Sequence, residues 1–163
     1  MRLLSIDQSL TCSGIMVWDN KNVIHFACIK TKNDIEVIYR IRYILDEIRS
    51  IVEKYSITKV VVESLPYGAV SRSVRPLAAL YYLIHHTCID LGIEFTESNV
   101  TSVKKLATGK GNAKKETMIL ALQEQERGLF NDILKAGFKK TTGLADLADS
   151  YFIGKLQIEK DKA

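Results

Sequence analysis

Apolar residues change their spacing several times along the chain, and each change marks an element. Residues 2–7, RLLSID, form a short apolar run that ends on Asp7; 13–19 (SGIMVWD) and 22–30 (NVIHFACIK) are two more, parted only by the polar pair Asn20 and Lys21. Three such runs with tight polar breaks predict an antiparallel meander. The spacing then lengthens. Ile35, Ile38, Ile41, Leu45, Ile48 and Val52 recur every three or four residues, which predicts an amphipathic helix over 33–55 with Asn33 and Glu36 as a capping pair. TKVVVES (58–64) is β-branched and unalternating, as suits a central strand buried on both faces, with Glu63 at its end. A second helix is predicted from near Pro76, a favoured first-turn residue, to about Leu91, and a fifth strand over 92–97. Short helical pieces follow near 100–107 and 113–126, then a loop rich in Gly and Lys, then a last helix over about 142–160.

A meander followed by crossover-connected strands gives an α/β fold: a mixed five-stranded sheet with helices on both faces. The meander rules out a Rossmann unit, which needs a helix after its first strand, and the chain contains no G-x-G-x-x-G or Walker A pattern. With 47% hydrophobic residues over 163 positions, and no repeat or linker, a single domain spanning 1–163 is expected. No run reaches the roughly 18 apolar residues of a membrane span, and MRLLSIDQS does not read as a signal peptide. Cys12, Cys28 and Cys88 are odd in number and scattered, without zinc spacing, and fit a reducing cytoplasm. His25, His85 and His86 form no ligand set, and Cys12 and Trp18 read as packing residues.

The C-terminal TGLADLADSYFIGK sets Asp146 and Asp149 three residues apart, on one side of a helix that otherwise expects burial. If the first and fourth strands are adjacent and parallel, Asp7 and Glu63 emerge at the sheet edge where open α/β sheets place their sites. A last helix across that edge adds the two aspartates. Two unit charges about 4 Å apart repel by roughly 4 kcal/mol at an effective dielectric near 20. Four carboxylates so placed call for raised pKa values or a hard divalent cation, Mg²⁺ or Mn²⁺ rather than zinc. Read alone, each of these acids is equally a turn former or a solvated charge; it is the shared edge that unites them.

The net charge is only +4, but VKKLATGKGNAKKE (103–116) concentrates Lys104, Lys105, Lys110, Lys114 and Lys115 around Gly109 and Gly111. Two short helices joined by a tight loop would line these lysines along a nucleic-acid backbone, with helix-start amides near Ala113 for a phosphate; the bland alternative is a solvated surface. Lys135, Lys139 and Lys140 extend the track, and Arg72 and Arg75 offer a second one. Tyr67, at the tip of SLPYGAVSRSVR, either stacks on a base or folds into the core. PLAALYYLI (76–84) is apolar nearly all round, as a subunit contact or an interior helix would be.

LLSIDQSLTCSGIMVWD, KVVVES, VKKLATGKGNAKKE and LADLADSYFIG fall in the order of a known family, across residues 2–157. The chain resembles the RuvC-type Holliday junction resolvases of the RNase H-like superfamily, with the divergence expected of a phage member. The third stretch is similar to the family's VK-x-x-x-x-G-x-G-x-A-x-K segment, the fourth to its D-x-x-D-A helix. The resemblance implies that Asp7, Glu63, Asp146 and Asp149 bind two Mg²⁺ ions, with Mn²⁺ as a substitute. It makes Lys104 and Lys115 the two family lysines, the latter beside the reacting phosphate, and Tyr67 a probe of the junction centre. It further implies a homodimer, joined through the helix at 76–91, that nicks four-way junctions in paired fashion to 5′-phosphate and 3′-hydroxyl ends. A cytoplasmic setting in a bacterial or phage-infected cell follows. Gln8 and Ser9 stand where the family has Pro-Gly, Ser150 where it has Ala, and residues 126–141 are longer and more basic. A YqgF-like nuclease, a flap or branched-DNA endonuclease of the same superfamily, and a non-catalytic nucleic-acid binding module are the alternatives. An actin-like phosphotransferase, faintly suggested by IDQSLTCSG, is not expected, since those proteins duplicate the fold and this sequence offers room for one copy and no second Gly-rich phosphate loop.

Overall fold

The computed structural model describes residues 1–66, 72 and 74–163. Its strands are β1 (Arg2–Asp7), β2 (Cys12–Asp19), β3 (Asn22–Lys30), β4 (Lys59–Glu63) and β5 (Glu94–Ser98). They form one sheet in the order β3-β2-β1-β4-β5. The meander is antiparallel, β4 lies parallel to β1, and β5 lies parallel to β4, so the mixed five-stranded sheet is as expected. Asn20 makes the tight break between β2 and β3 in the left-handed region, at φ 55°, which a short polar side chain tolerates.

The helices are α1 (Val37–Tyr55), α2 (Val74–Asp90), α3 (Val100–Thr108), α4 (Lys115–Gln125), α5 (Arg127–Lys135) and α6 (Leu144–Lys162). Strand residues alternate between two cores. Leu4, Ile6, Val60 and Val62 face Ile41, Ile44 and Ile48 of α1 and Leu80 and Ile84 of α2. Leu3, Met16, Trp18 and Val61 face the other layer, where Leu147, Tyr151 and Phe152 of α6 pack with α3, α4 and α5.

Helix α6 is the element that positions the site, and it lies close to the sheet. A Cβ on Gly154 would come within 2.3 Å of the Trp18 indole nitrogen. That nitrogen donates to Ser5 Oγ at 2.9 Å, and Ser150 Oγ donates to the Ser5 carbonyl at 2.9 Å, so a buried polar seam fixes the helix on β1. At the far edge, Lys59 Nζ pairs with Asp161 at 3.0 Å.

Two expectations need correction. Helix α1 begins at Val37, and Asn33 and Glu36 make no capping pair: Glu36 stands at the N-cap without a side-chain bond, while Asn33 Oδ1 accepts from Arg40 at 3.2 Å. Ile35 and Ile38 are therefore exposed rather than core residues. The loop expected over 126–141 contains α5, held by Phe130 and Ile133 one turn apart in the core. Its charged residues and Gly128 hide that short apolar face in the sequence. Helix α2 starts at Val74, near Pro76 as expected, and the proline lies in the first turn, where its missing N–H costs nothing.

In an exposed helix, alanine stabilises relative to glycine by about 1 kcal/mol. At Gly154 the sign should reverse, because the added methyl meets the Trp18 ring and Ser5. Gly154→Ala is expected to lower the free energy of unfolding by about 1–3 kcal/mol in urea titrations, the usual cost of overpacking.

Candidate active site

The parallel pairing of β1 with β4 runs Leu3 to Lys59 through Ile6 to Val62, so Asp7 and Glu63 leave the sheet side by side. Gln8 locks that alignment. Its side-chain amide donates to the Glu63 carbonyl at 2.6 Å and accepts from the Glu63 N–H at 3.0 Å. The residue that departs from the family's Pro-Gly thus works as a clamp across the strand ends. Ser9 stabilises the turn that follows, with its hydroxyl accepting from the Cys12 N–H at 3.0 Å and donating to the Cys12 carbonyl at 2.8 Å.

Gly14 lies opposite Asp7 in the β1–β2 register. A Cβ there would sit 2.3 Å from the Asp146 carbonyl oxygen, so only glycine lets the start of α6 rest on the sheet beside Asp7. Asp146 occupies the first turn of α6, where a negative charge is favoured by the helix dipole, and Asp149 follows one turn later on the same side. The two lysines come from the neighbouring layer. Ser98 pairs with Glu63, and Asn99 then caps α3 by accepting from the N–H groups of Thr101 and Ser102, which brings Lys104 over the site. Gly109 ends α3 at φ 78°, and α4 starts on Lys115 without a side-chain cap.

Electrostatics couple the four expected acids with Lys104 and Lys115. Asp7, Glu63, Asp146 and Asp149 are each partly buried. Burial, and then the charges of Asp149, Glu63 and Asp146, hold the Asp7 carboxyl well above its usual range, while Lys115 opposes the shift. Burial, Glu63 and Asp146 push Asp149 up to about 7 against Lys104 and Lys115. Burial raises Glu63 too, with Lys104 opposing. Two lysines therefore compensate four carboxylates only in part.

The donors are all oxygen, and their ionised forms lack positive charge, so their chemistry fits a hard divalent cation. Among the described residues, no group of three or more His, Cys, Asp or Glu side chains forms a ready-made cage for one. Of the other expected contacts, Lys105, Lys110 and Lys114 are exposed along α3, its loop and the start of α4, as are Arg72 and Arg75 around the start of α2. Tyr67 lies outside the described residues.

Sequence spacing missed Gln8, Gly14 and Ser150 as positioning residues, because each acts on an element remote in the chain. It also missed that Cys12 and Cys28 meet. A Cβ on Gly143 would lie 2.5 Å from one sulfur and 3.5 Å from the other, and both thiols are free.

The family model for the crossover junction endodeoxyribonuclease RuvC matches residues 3–127. That stretch holds Asp7, Glu63, Lys104 and Lys115 and ends before α6. A curated relative, the crossover junction endodeoxyribonuclease RuvC of Endomicrobium trichonymphae, is 29% identical over 123 residues, 72% of this chain and 65% of its own length. The same-named protein of Chloroherpeton thalassium is 28% identical over 58% of this chain, and the match spans 50% of that relative. The chain thus spans less than two thirds of the length of these curated relatives. Among solved structures, Thermus thermophilus RuvC in complex with a Holliday junction substrate covers 100% of this chain and 96% of its own, with a TM-score of 0.75 at 16% identity. The yeast mitochondrial Holliday junction resolvase covers 98% of this chain and 80% of its own, with a TM-score of 0.63 at 13% identity. Both share the fold.

The raised acids make stability depend on pH in a stated direction. A carboxyl whose pKa rises from 3.8 unfolded to about 7 folded leaves the native state holding more protons in between, so stability falls as pH rises through that window. In EDTA, urea unfolding is expected to lose roughly 3–5 kcal/mol from pH 4 to pH 8, counting Asp149 alone. Asp149→Asn should flatten the profile; an unchanged slope would mean that the carboxylate is not crowded.

Proposed function

Since the chain belongs to the RuvC family of crossover junction endodeoxyribonucleases, we propose that it is a structure-selective endonuclease that resolves four-way DNA junctions by paired nicks. The observation that carries this reading is the convergence of Asp7, Glu63, Asp146 and Asp149 at one sheet edge, facing Lys104 and Lys115. In it the chain acts as one nuclease domain in the cytoplasm. Among the described residues, no helix is long and apolar enough to cross a membrane.

The four carboxylates would hold two Mg²⁺ ions, or Mn²⁺ in their place, which supply the Lewis acidity that activates the attacking water and steadies the departing 3′-oxygen. Asp7 and Glu63, fixed by the sheet and the Gln8 clamp, give that centre a rigid floor. Asp146 and Asp149 close it from α6. Lys115, at the uncapped start of α4, offers its ammonium to the reacting phosphate, and the helix-start N–H groups beside it suit a phosphate oxygen. Lys104 balances Glu63 and Asp149 before substrate arrives and then pairs with the strand. Lys105, Lys110 and Lys114 continue the contact along the backbone, Arg72 and Arg75 offer a second track around the start of α2, and Tyr67 is the aromatic that would probe the junction.

The partner copy docks through α2 in this reading. Tyr82 and Ile89 on that helix are 63% and 68% exposed, which a subunit contact would cover. Two active sites related by a two-fold axis would then face two strands of the junction symmetrically.

The direct test compares Mg²⁺-dependent cleavage of a four-way junction, a flap, a linear duplex and an RNA–DNA hybrid. Symmetric paired nicks confined to the junction are expected; preference for the hybrid would contradict the reading. Asp7→Asn is expected to slow cleavage at least about a hundredfold, a transition-state loss near 3 kcal/mol, while junction affinity is kept or tightened. Lys104→Ala should reduce the slope of log affinity against log salt by about one.

A further inference from the structure

A groove of about 400 Å³ opens between the end of β3 and the first turns of α1, outside the acidic cluster. Lys30, Lys32 and Arg40 are the charged residues that line it, and no acid does so among the described residues. The next groove along α1, by contrast, mixes Arg42 and Arg49 with Asp46. Arg40 is the unusual member. Only 7% of it is exposed, and its guanidinium donates to Thr31 Oγ1 at 2.8 Å, Asn33 Oδ1 at 3.2 Å and Thr11 Oγ1 at 3.5 Å. Those acceptors are neutral, and no carboxylate lies within ion-pair distance of it among the described residues. A buried cation without an anion is poorly compensated.

The remaining walls are aromatic and apolar. Tyr39 and Tyr43 are 60% and 49% exposed, beside Ile35. Aromatic faces next to uncompensated cations are the pairing that single strands of nucleic acid use, with bases or sugars on the rings and phosphates on the charges.

The groove also sits on the same sheet edge as the acids. Asp7 pairs with Gly14 and Gly14 with Cys28, so Cys28 lies two strand spacings, roughly 10 Å, from Asp7, and Lys30 ends β3 two residues beyond it. The loop after Asp7 is tied directly to it. Thr31 N–H donates to the Thr11 carbonyl at 3.1 Å, and the Thr31 hydroxyl donates to the Leu10 carbonyl. Lys30 Nζ donates to the Thr142 carbonyl at 3.0 Å, just before α6 begins.

From this we infer that the groove seats one nucleotide of the DNA strand that crosses the acidic cluster, with its phosphate against Lys32 and Arg40 and its sugar and base on Tyr39 and Tyr43. The inference rests on the reading of the chain as a nuclease of branched DNA, and it adds a binding position beside the cut rather than at it.

The test measures the affinity of the full chain for a four-way junction and for a short single-stranded oligonucleotide, in Ca²⁺, over a range of salt. Lys32→Gln with Tyr39→Ala is compared with wild type and with Lys160→Gln, which removes a charge near the end of α6, the end that Asp161 ties to Lys59 at the opposite sheet edge. The double variant should weaken binding to both ligands about tenfold or more, with a salt slope shallower by about one, and the control should match wild type. Equal affinity and slope in the double variant would overturn the groove. So would a change confined to the monomer–dimer balance in sedimentation, which would make this face a contact between copies. Wild type that binds the oligonucleotide through these residues and ignores the junction would uphold the groove and end the junction reading.

Discussion

Like charges held close on a rigid frame dominate this molecule. Asp7 and Glu63 cannot separate, because β1 and β4 are paired and Gln8 ties their ends together. Asp146 and Asp149 cannot withdraw either, because α6 is laid on the sheet by Gly14 at one point and Gly154 at another. Burial first, and the repulsion after it, appear as protonation: Asp7 and Asp149 are driven upward, although Lys104 and Lys115 stand beside them. A fold that maintains such crowding stores a demand for positive charge at one point on its surface.

The scaffold meets part of that demand and leaves the rest to what binds. The lysines come from α3 and α4, which belong to the same layer as α6, so both signs of charge are carried by one packed helical unit. The bonds that fix this unit are modest ones. Ser150 reaches the Ser5 carbonyl, Trp18 reaches the Ser5 hydroxyl, and Lys59 holds Asp161 at the far end. Each would be unremarkable alone. Together they set the position of α6 along β1, and hence the position of two of the four acids.

Much of this was legible in the sequence. Apolar runs that end on Asp7 and Glu63 gave both the strands and the acids, and the three-residue spacing of Asp146 and Asp149 gave their shared face. The lysine-glycine segment read correctly as two helices around a tight loop. What stayed hidden depends on contacts between remote segments. Gln8 looked like a departure from a familiar turn and serves as a clamp on Glu63, 55 residues away. Cys12 and Cys28 looked scattered and are brought together by the β2–β3 hairpin. Helix α5 is not legible because two buried residues, Phe130 and Ile133, are too few to show a period. The start of α1 is not legible either, because Ile35 and Ile38 continue the helical spacing but lie in solvent, where spacing carries no burial.

Counting bound Mn²⁺ by electron paramagnetic resonance, with an uncleavable four-way junction in place, bears most directly on the crowded carboxylates. Two ions per protomer are expected, with a clear fall in that number when Glu63 is replaced by Gln. No bound manganese beyond that taken up by the junction alone would contradict the view that these acids gather around metal.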